Sequence, residues 1–161
     1  MYKRQALADT DKFSYPLIVK PTDSAGSKGV TRVDKEEDLK EALEYAFKHS
    51  IKGNIIVEEF IEKQGCSSDS DSFSVNGVLQ FVSFSAQRFD EYAAGTFVPA
   101  AYSWPSTMNM QQESELRSEL QRLLTLLHMK TAVYNIETRV GVNGKTYITV
   151  SYTHLTLPTN S

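Results

Sequence analysis

Cysteine is almost absent from this sequence. Cys66 is the single one in 161 residues, so neither an internal disulfide framework nor a cysteine-rich zinc site can form, and the usage suits a reducing cytoplasm. Positive charge is not in surplus either. Seventeen Lys and Arg against twenty Asp and Glu leave a net charge of -3, which offers nucleic acid no basic surface. No apolar run is long enough to span a membrane, and no secretory leader is legible. Internal repeats are lacking, and low complexity is confined to the serine and aspartate run from Ser67 to Ser72. There is no Ser-His-Asp or Cys-His constellation for nucleophilic catalysis. What remains, 40% hydrophobic and 23% charged, is ordinary for a soluble globular protein, and 161 residues suffice for one compact domain or one module of a larger enzyme.

The two ends read as something other than protein. MYKRQ, residues 1–5, can be encoded by GTG TAT AAG AGA CAG with GTG as the start codon. VSYTHL, residues 150–155, can be encoded by GTC TCT TAT ACA CAT CTG. GTGTATAAGAGAC and GTCTCTTATACAC are reverse complements, which resembles a transposase-type sequencing adapter read through on both sides. The expectation is that residues 1–5 and 150–161 are adapter-like and that 6–149 is an internal fragment, preceded in its parent by an upstream domain.

Tyr15 to Lys20 is an apolar run closed by Pro21, read as a buried strand entering a loop, and Val30 to Val33 resumes in an extended pattern. Asp34 and Glu37 have the spacing of a capping box. Leu39, Ala42, Leu43, Ala46 and Phe47 then recur at helical spacing up to Gly53. Asn54 to Ile61 is β-rich, and Phe73 to Ala86 reads as a hairpin turned at Asn76-Gly77. Residues 87–110 read mostly as loop. Leu116, Leu120, Leu123, Leu124 and Leu127 mark a second helix, followed by strands over 131–140 and 145–149. Hairpins mixed with helices predict an α+β fold with antiparallel sheets.

The loop TDSAGSKGV joins strand to strand, so it is neither a Walker phosphate loop nor a Rossmann fingerprint, both of which open a helix. Ser24, Ala25, Gly26, Ser27 and Gly29 let backbone N–H groups approach an anion while Lys28 supplies charge; an exposed turn would have the same composition. In NIIVEEFIEKQG a strand delivers Glu58 and Glu59, a pair that solvent alone would also accommodate. In AVYNIETRV alternation puts Val133, Asn135, Glu137 and Arg139 on one face. Amide, carboxylate and guanidinium together suit a metal and a phosphate, and equally a solvated strand.

In chain order PLIVKP, TDSAGSKGV, IVEEFI, YNIETR and NGKTYI resemble the ATP-grasp superfamily, with the carbamoyl-phosphate-synthetase-like branch the nearest in pattern. The likeness runs from Phe13 to Thr149, and five motifs in this order make it specific. It implies two α+β subdomains with antiparallel sheets gripping a nucleotide, here truncated at both ends. It implies that Lys20 reaches the α-phosphate side of ATP and that Ser27, Lys28 and Gly29 close over the β- and γ-phosphates. Glu58 would accept from the adenine amino group, with Glu59, Phe60 and Ile61 lining the adenine slot. Asp69, with Asp71 beside it, stands nearest to where an acid binds the ribose. Glu137 would be the first carboxylate for magnesium, or manganese in its place, with Asn135 a second ligand and Arg139 a catalytic cation. His128 occupies a position where glycine is common and reads as a helix-end histidine; Cys66 reads as a plain loop thiol. After Thr149 the family continues E-x-N-P-R, whereas Val150 stands here.

The implied activity is ATP-dependent ligation of a carboxylate to an amine or related nucleophile through an acyl phosphate, in the cytoplasm, with no nucleic-acid or membrane partner. The 161-residue chain itself is expected to be inactive. The alternative is a non-catalytic, regulatory nucleotide-binding module of the same fold.

Overall fold

The computed structural model describes residues 14–90, 92 and 97–154, leaving aside the side chains of 150–154. The expectation placed on residues 1–5 and that on 155–161 lie outside the described residues. The chain divides into two compact units, one ending at Phe60 and including residues 92, 97 and 98, the other formed by 61–90 and 99 onward.

The first unit is a three-stranded antiparallel sheet backed by a helix. Its elements are β1 (Leu17–Pro21), β2 (Thr31–Val33), α1 (Glu36–His49) and β3 (Ile55–Glu59), with strand order β2-β1-β3. The period of two along β1 sends Leu17, Val19 and Pro21 inward and leaves Ile18 and Lys20 on the other face. The run expected to be buried throughout is therefore half-buried, because α1 covers one side of the sheet. Leu39, Ala42, Leu43 and Ala46 of α1 close over Leu17, Val19 and Val33. Each fully buried Leu or Val contributes about 1.5–3 kcal/mol relative to exposure. The expected capping box does not form: Lys35 is the N-cap and uses no side-chain bond. Asp34 is engaged instead by Arg32, whose Nε donates to it at 2.9 Å.

The second unit carries a sheet ordered β5-β4-β8-β9, from β4 (Ser68–Val75), β5 (Val78–Phe84), β8 (Ala132–Val140) and β9 (Thr146–His154), all neighbours antiparallel. α2 (Met110–Leu126) covers one face with Leu116, Leu120 and Leu124 against Leu79, Phe84, Tyr134 and Ile136. Asn109 caps α2 with a reciprocal bond to Gln112, a capping box the sequence reading passed over. His128 follows the helix at φ +52, the left-handed position that most often takes glycine, which accounts for the residue preference there. Asn76 and Gly77 both have positive φ, so the β4–β5 turn is of the expected primed hairpin kind.

Two segments hold more than expected. Within the loop-rich span 87–110, β6 (Ala86–Phe89) pairs with β7 (Pro99–Ser103) as an antiparallel ribbon, linked to β4 through the Ser67–Gln87 bridge, and the other described residues up to α2 are turns, bends or irregular. The serine and aspartate run enters β4, which begins at Ser68 just after Ser67. Ser68, Ser70, Ser72 and Ser74 face inward and Asp69, Asp71, Phe73 and Val75 outward. The buried hydroxyls are partly satisfied by β8 carbonyls: Ser70 donates to Ile136 at 3.0 Å. Ser74 gives its proton to the Lys130 carbonyl at 2.6 Å, so the Tyr134 hydroxyl donates to Ser74 at 2.8 Å. No helix among the described residues is long and apolar enough to cross a membrane.

Candidate functional site

In the first unit the site residues gather at β1, its loop and β3. Because Val19 is core, Lys20 is turned to the open face, diagonal to Glu58 in the β1–β3 register. The Lys20 ammonium lies 2.5 Å from a Glu58 carboxylate oxygen. The structure thus brings together two residues expected at opposite ends of a nucleotide. Glu59 is exposed; Phe60 donates its N–H to Pro16 at 2.8 Å and stacks under the Arg32 guanidinium at 4.5 Å.

The loop after β1 is shaped by three left-handed residues in four, Gly26, Ser27 and Gly29. Gly29 is buried so tightly that a Cβ would meet Pro21 at 2.9 Å and His49 at 2.8 Å, whereas around Gly26 there is open space. Ser27 donates to the Phe97 carbonyl at 3.0 Å, and Lys28 is exposed. The loop's base is fixed by Asp23, which accepts from Ser50 Oγ at 2.8 Å and from the N–H groups of Ile51 and Lys52 at 3.1 and 2.6 Å. Desolvation pushes the Asp23 carboxyl up, but these bonds and Lys52 outweigh it and hold it below its ordinary value. Asp23 lies within TDSAGSKGV, but its role as an anchor depends on Ser50, Ile51 and Lys52 far along the chain and is a tertiary fact.

In the second unit β8 alternates as read from the sequence: Tyr134, Ile136, Thr138 and Val140 are buried, and Asn135, Glu137 and Arg139 lie on the open face. β4 stands beside it in a register that puts Asp69 opposite Glu137 and Asp71 opposite Asn135. The Asn135 amide donates to Asp71 at 3.2 Å. Burial raises the Asp69 carboxyl above its ordinary value; the Asn135 amide opposes this and Asp71 adds to it. Burial lowers Arg139, against the pull of Glu137 and Glu62, and its Nη1 donates to the Ile61 carbonyl at 2.8 Å. On the other side of β8, the β9 backbone places position 150 opposite Glu137 and position 152 opposite Asn135. Cys66 is half-buried beside Thr107, its N–H donating to the threonine hydroxyl, in keeping with a loop thiol.

The serines of β4 and the buried Gln87 were not anticipated as neighbours of these residues. The signal available was the period-two alternation of SDSDSFSV, which marks a strand once serine is allowed to be the inward residue.

Residues 13–154 match the profile of a family described as the ATP-grasp domain. The D-alanine–D-alanine ligase of Tropheryma whipplei is 34% identical over 119 residues, covering 69% of this chain and 33% of the relative. Among solved structures, the L-amino acid ligase of Bacillus licheniformis superimposes with a TM-score of 0.70 at 25% identity, over 90% of this chain and 33% of that one. Biotin carboxylase of Campylobacter jejuni gives a TM-score of 0.76 at 16% identity, over 97% of this chain and 35% of that one, a likeness of fold. The chain spans about a third of the length of the relatives it matches.

Proposed function

The chain belongs to the ATP-grasp domain family, and from that premise we propose that it supplies nucleotide-binding machinery to an ATP-dependent ligase joining a carboxylate to an amine or related nucleophile. The observation that carries this reading is the open face of β8, where Asn135, Glu137 and Arg139 stand in one row beside the acids of β4.

The donor set fits magnesium, a hard cation that takes carboxylate and amide oxygens and fills its remaining positions with phosphate and water. Glu137 and Asn135 would hold it. Magnesium held there would supply charge neutralisation to the phosphates of bound ATP. Lys20 offsets charge on the α-phosphate side, and Ser27, Lys28 and Gly29 cover the β- and γ-phosphates with backbone N–H groups and one ammonium. Glu58, already turned to the open face with Lys20, accepts from the adenine amino group next to Glu59, Phe60 and Ile61. A substrate carboxylate oxygen then bonds to the γ-phosphorus as its bond to the β-bridging oxygen breaks, releasing ADP. The nucleophile's nitrogen next bonds to the acyl carbon, losing a proton as inorganic phosphate departs. Arg139 stabilises the charge that builds on the transferring group. Placement in the carbamoyl-phosphate-synthetase-like branch is part of this proposal and rests on motif order. The relatives named as amino-acid ligases make an amino acid the substrate class to try first.

Competition for labelled ATP tests the nucleotide assignment. Unlabelled ATP is expected to displace the label at a concentration at least about tenfold below that of GTP, because guanine presents a carbonyl where Glu58 needs a donor. Equal displacement by the two would remove Glu58 from the adenine site.

A further inference from the structure

We propose that Asp69, in place of the ribose contact implied by the resemblance, is a carboxylate ligand of the divalent cation, facing Glu137 across the β4–β8 pair, so that cation binding spans two strands. This deepens the reading above and rests on it. Residues directly opposite in an antiparallel pair carry their Cβ atoms about 4.5–5.5 Å apart and point to the same face. Asp69 and Glu137 are such a pair. Like charges so placed are unfavourable unless a cation or a proton lies between them.

The two β4 acids differ in what they have left to offer. Asp71 is exposed and has an oxygen occupied by the Asn135 amide at 3.2 Å, an amide that also bonds to the Asp69 carboxyl. Asp69 keeps a buried oxygen, Oδ1, with no hydrogen-bond partner. A buried carboxylate oxygen without a donor is costly, and a bound cation removes that cost.

A separate observation comes from the next row. Ser67 lies two residues before Asp69, hence on the same face, and its bridge partner is Gln87. Gln87 is 2% exposed and Ser67 4%, yet neither amide atom of Gln87 nor the Ser67 hydroxyl has a partner. Uncharged groups of this kind beside a carboxylate row suit a hydrated cation: serine oxygen and amide oxygen accept from cation-bound water, and the amide nitrogen donates to a phosphate oxygen. Magnesium retains several waters and takes one or two protein carboxylates. No group of three or more His, Cys, Asp or Glu side chains suited to a metal forms among the described residues, so the ligand set proposed is the two opposed acids and the Asn135 amide oxygen, completed by phosphate and water.

The test measures ATP affinity by calorimetry with excess magnesium and with excess EDTA, which isolates the metal-dependent gain. Asp69→Asn is expected to lose that gain by at least about tenfold while its metal-free affinity stays that of the parent chain, which also reports correct folding. Asp69→Glu should recover part of the gain, and Asp71→Asn should keep nearly all of it. If Asp69→Asn retains the full gain while Glu137→Gln loses it, the Asp69 assignment is overturned and the nucleotide reading stands. If Glu137→Gln also retains it, or the parent chain binds no ATP, the nucleotide reading itself falls.

Discussion

Lys20 and Lys28 carry the same charge into different surroundings. Lys20 is mostly covered and locked to Glu58, while Lys28 stands exposed on a loop whose shape is set by its neighbours. If both hold phosphate, Lys20→Met and Lys28→Met should each weaken ATP binding by about tenfold or more, since a charge-assisted hydrogen bond contributes about 1.5–3 kcal/mol. Lys40→Met, on the exposed side of α1, should leave the affinity unchanged. Titration of the three variants with a fluorescent ATP analogue gives the ranking, and an equal loss at Lys40 would reduce the loop to a surface turn. At this scale the sequence was informative about residue type and silent about pairing. Nothing in PLIVKP or IVEEFI says that Lys20 and Glu58 meet, because their diagonal relation depends on the β1–β3 register.

The loop and β4 show how far an element can be read from its composition. Glycine-rich character between Pro21 and Thr31 was legible, yet Gly26 and Gly29 serve different ends. Gly26→Ala should cost about 1–2 kcal/mol, the penalty for a left-handed side chain in open space. Gly29→Ala adds contacts under 3.0 Å with Pro21 and His49, which raises the cost by about 1–3 kcal/mol more. Thermal melting of the two variants should therefore separate them clearly, with Gly29→Ala melting lower; equal melting temperatures would mean the loop relaxes away from α1. β4 is the converse case. Its serines disguised a strand as low complexity, since hydrophobic periodicity cannot register an inward face built from hydroxyls that bond to the neighbouring strand.

For the molecule as a whole, the row across the second sheet sets the last expectation. Position 150 lies opposite Glu137 and position 152 opposite Asn135, where the family motif carries glutamate and asparagine and this chain carries Val150 and Tyr152. The chain is expected to bind MgATP without releasing phosphate. The double substitution Val150→Glu with Tyr152→Asn should tighten MgATP binding by about tenfold. Phosphate release by the unaltered chain would displace the metal site from this row. The sequence by itself determined the α+β class, both helices and the strands outside the β6–β7 ribbon and the start of β4, the alternation of β8 and the family, because these follow from local periodicity and from motifs contiguous in the chain. Only the tertiary structure decided that Asp69 faces Glu137, that Lys20 is held by Glu58, that Asp23 anchors the loop and that Gln87 is buried beside Ser67. Each of these depends on which strands pair and in what register. Register is fixed by burying one face of a sheet against a helix, a condition satisfied by residues far apart in the chain.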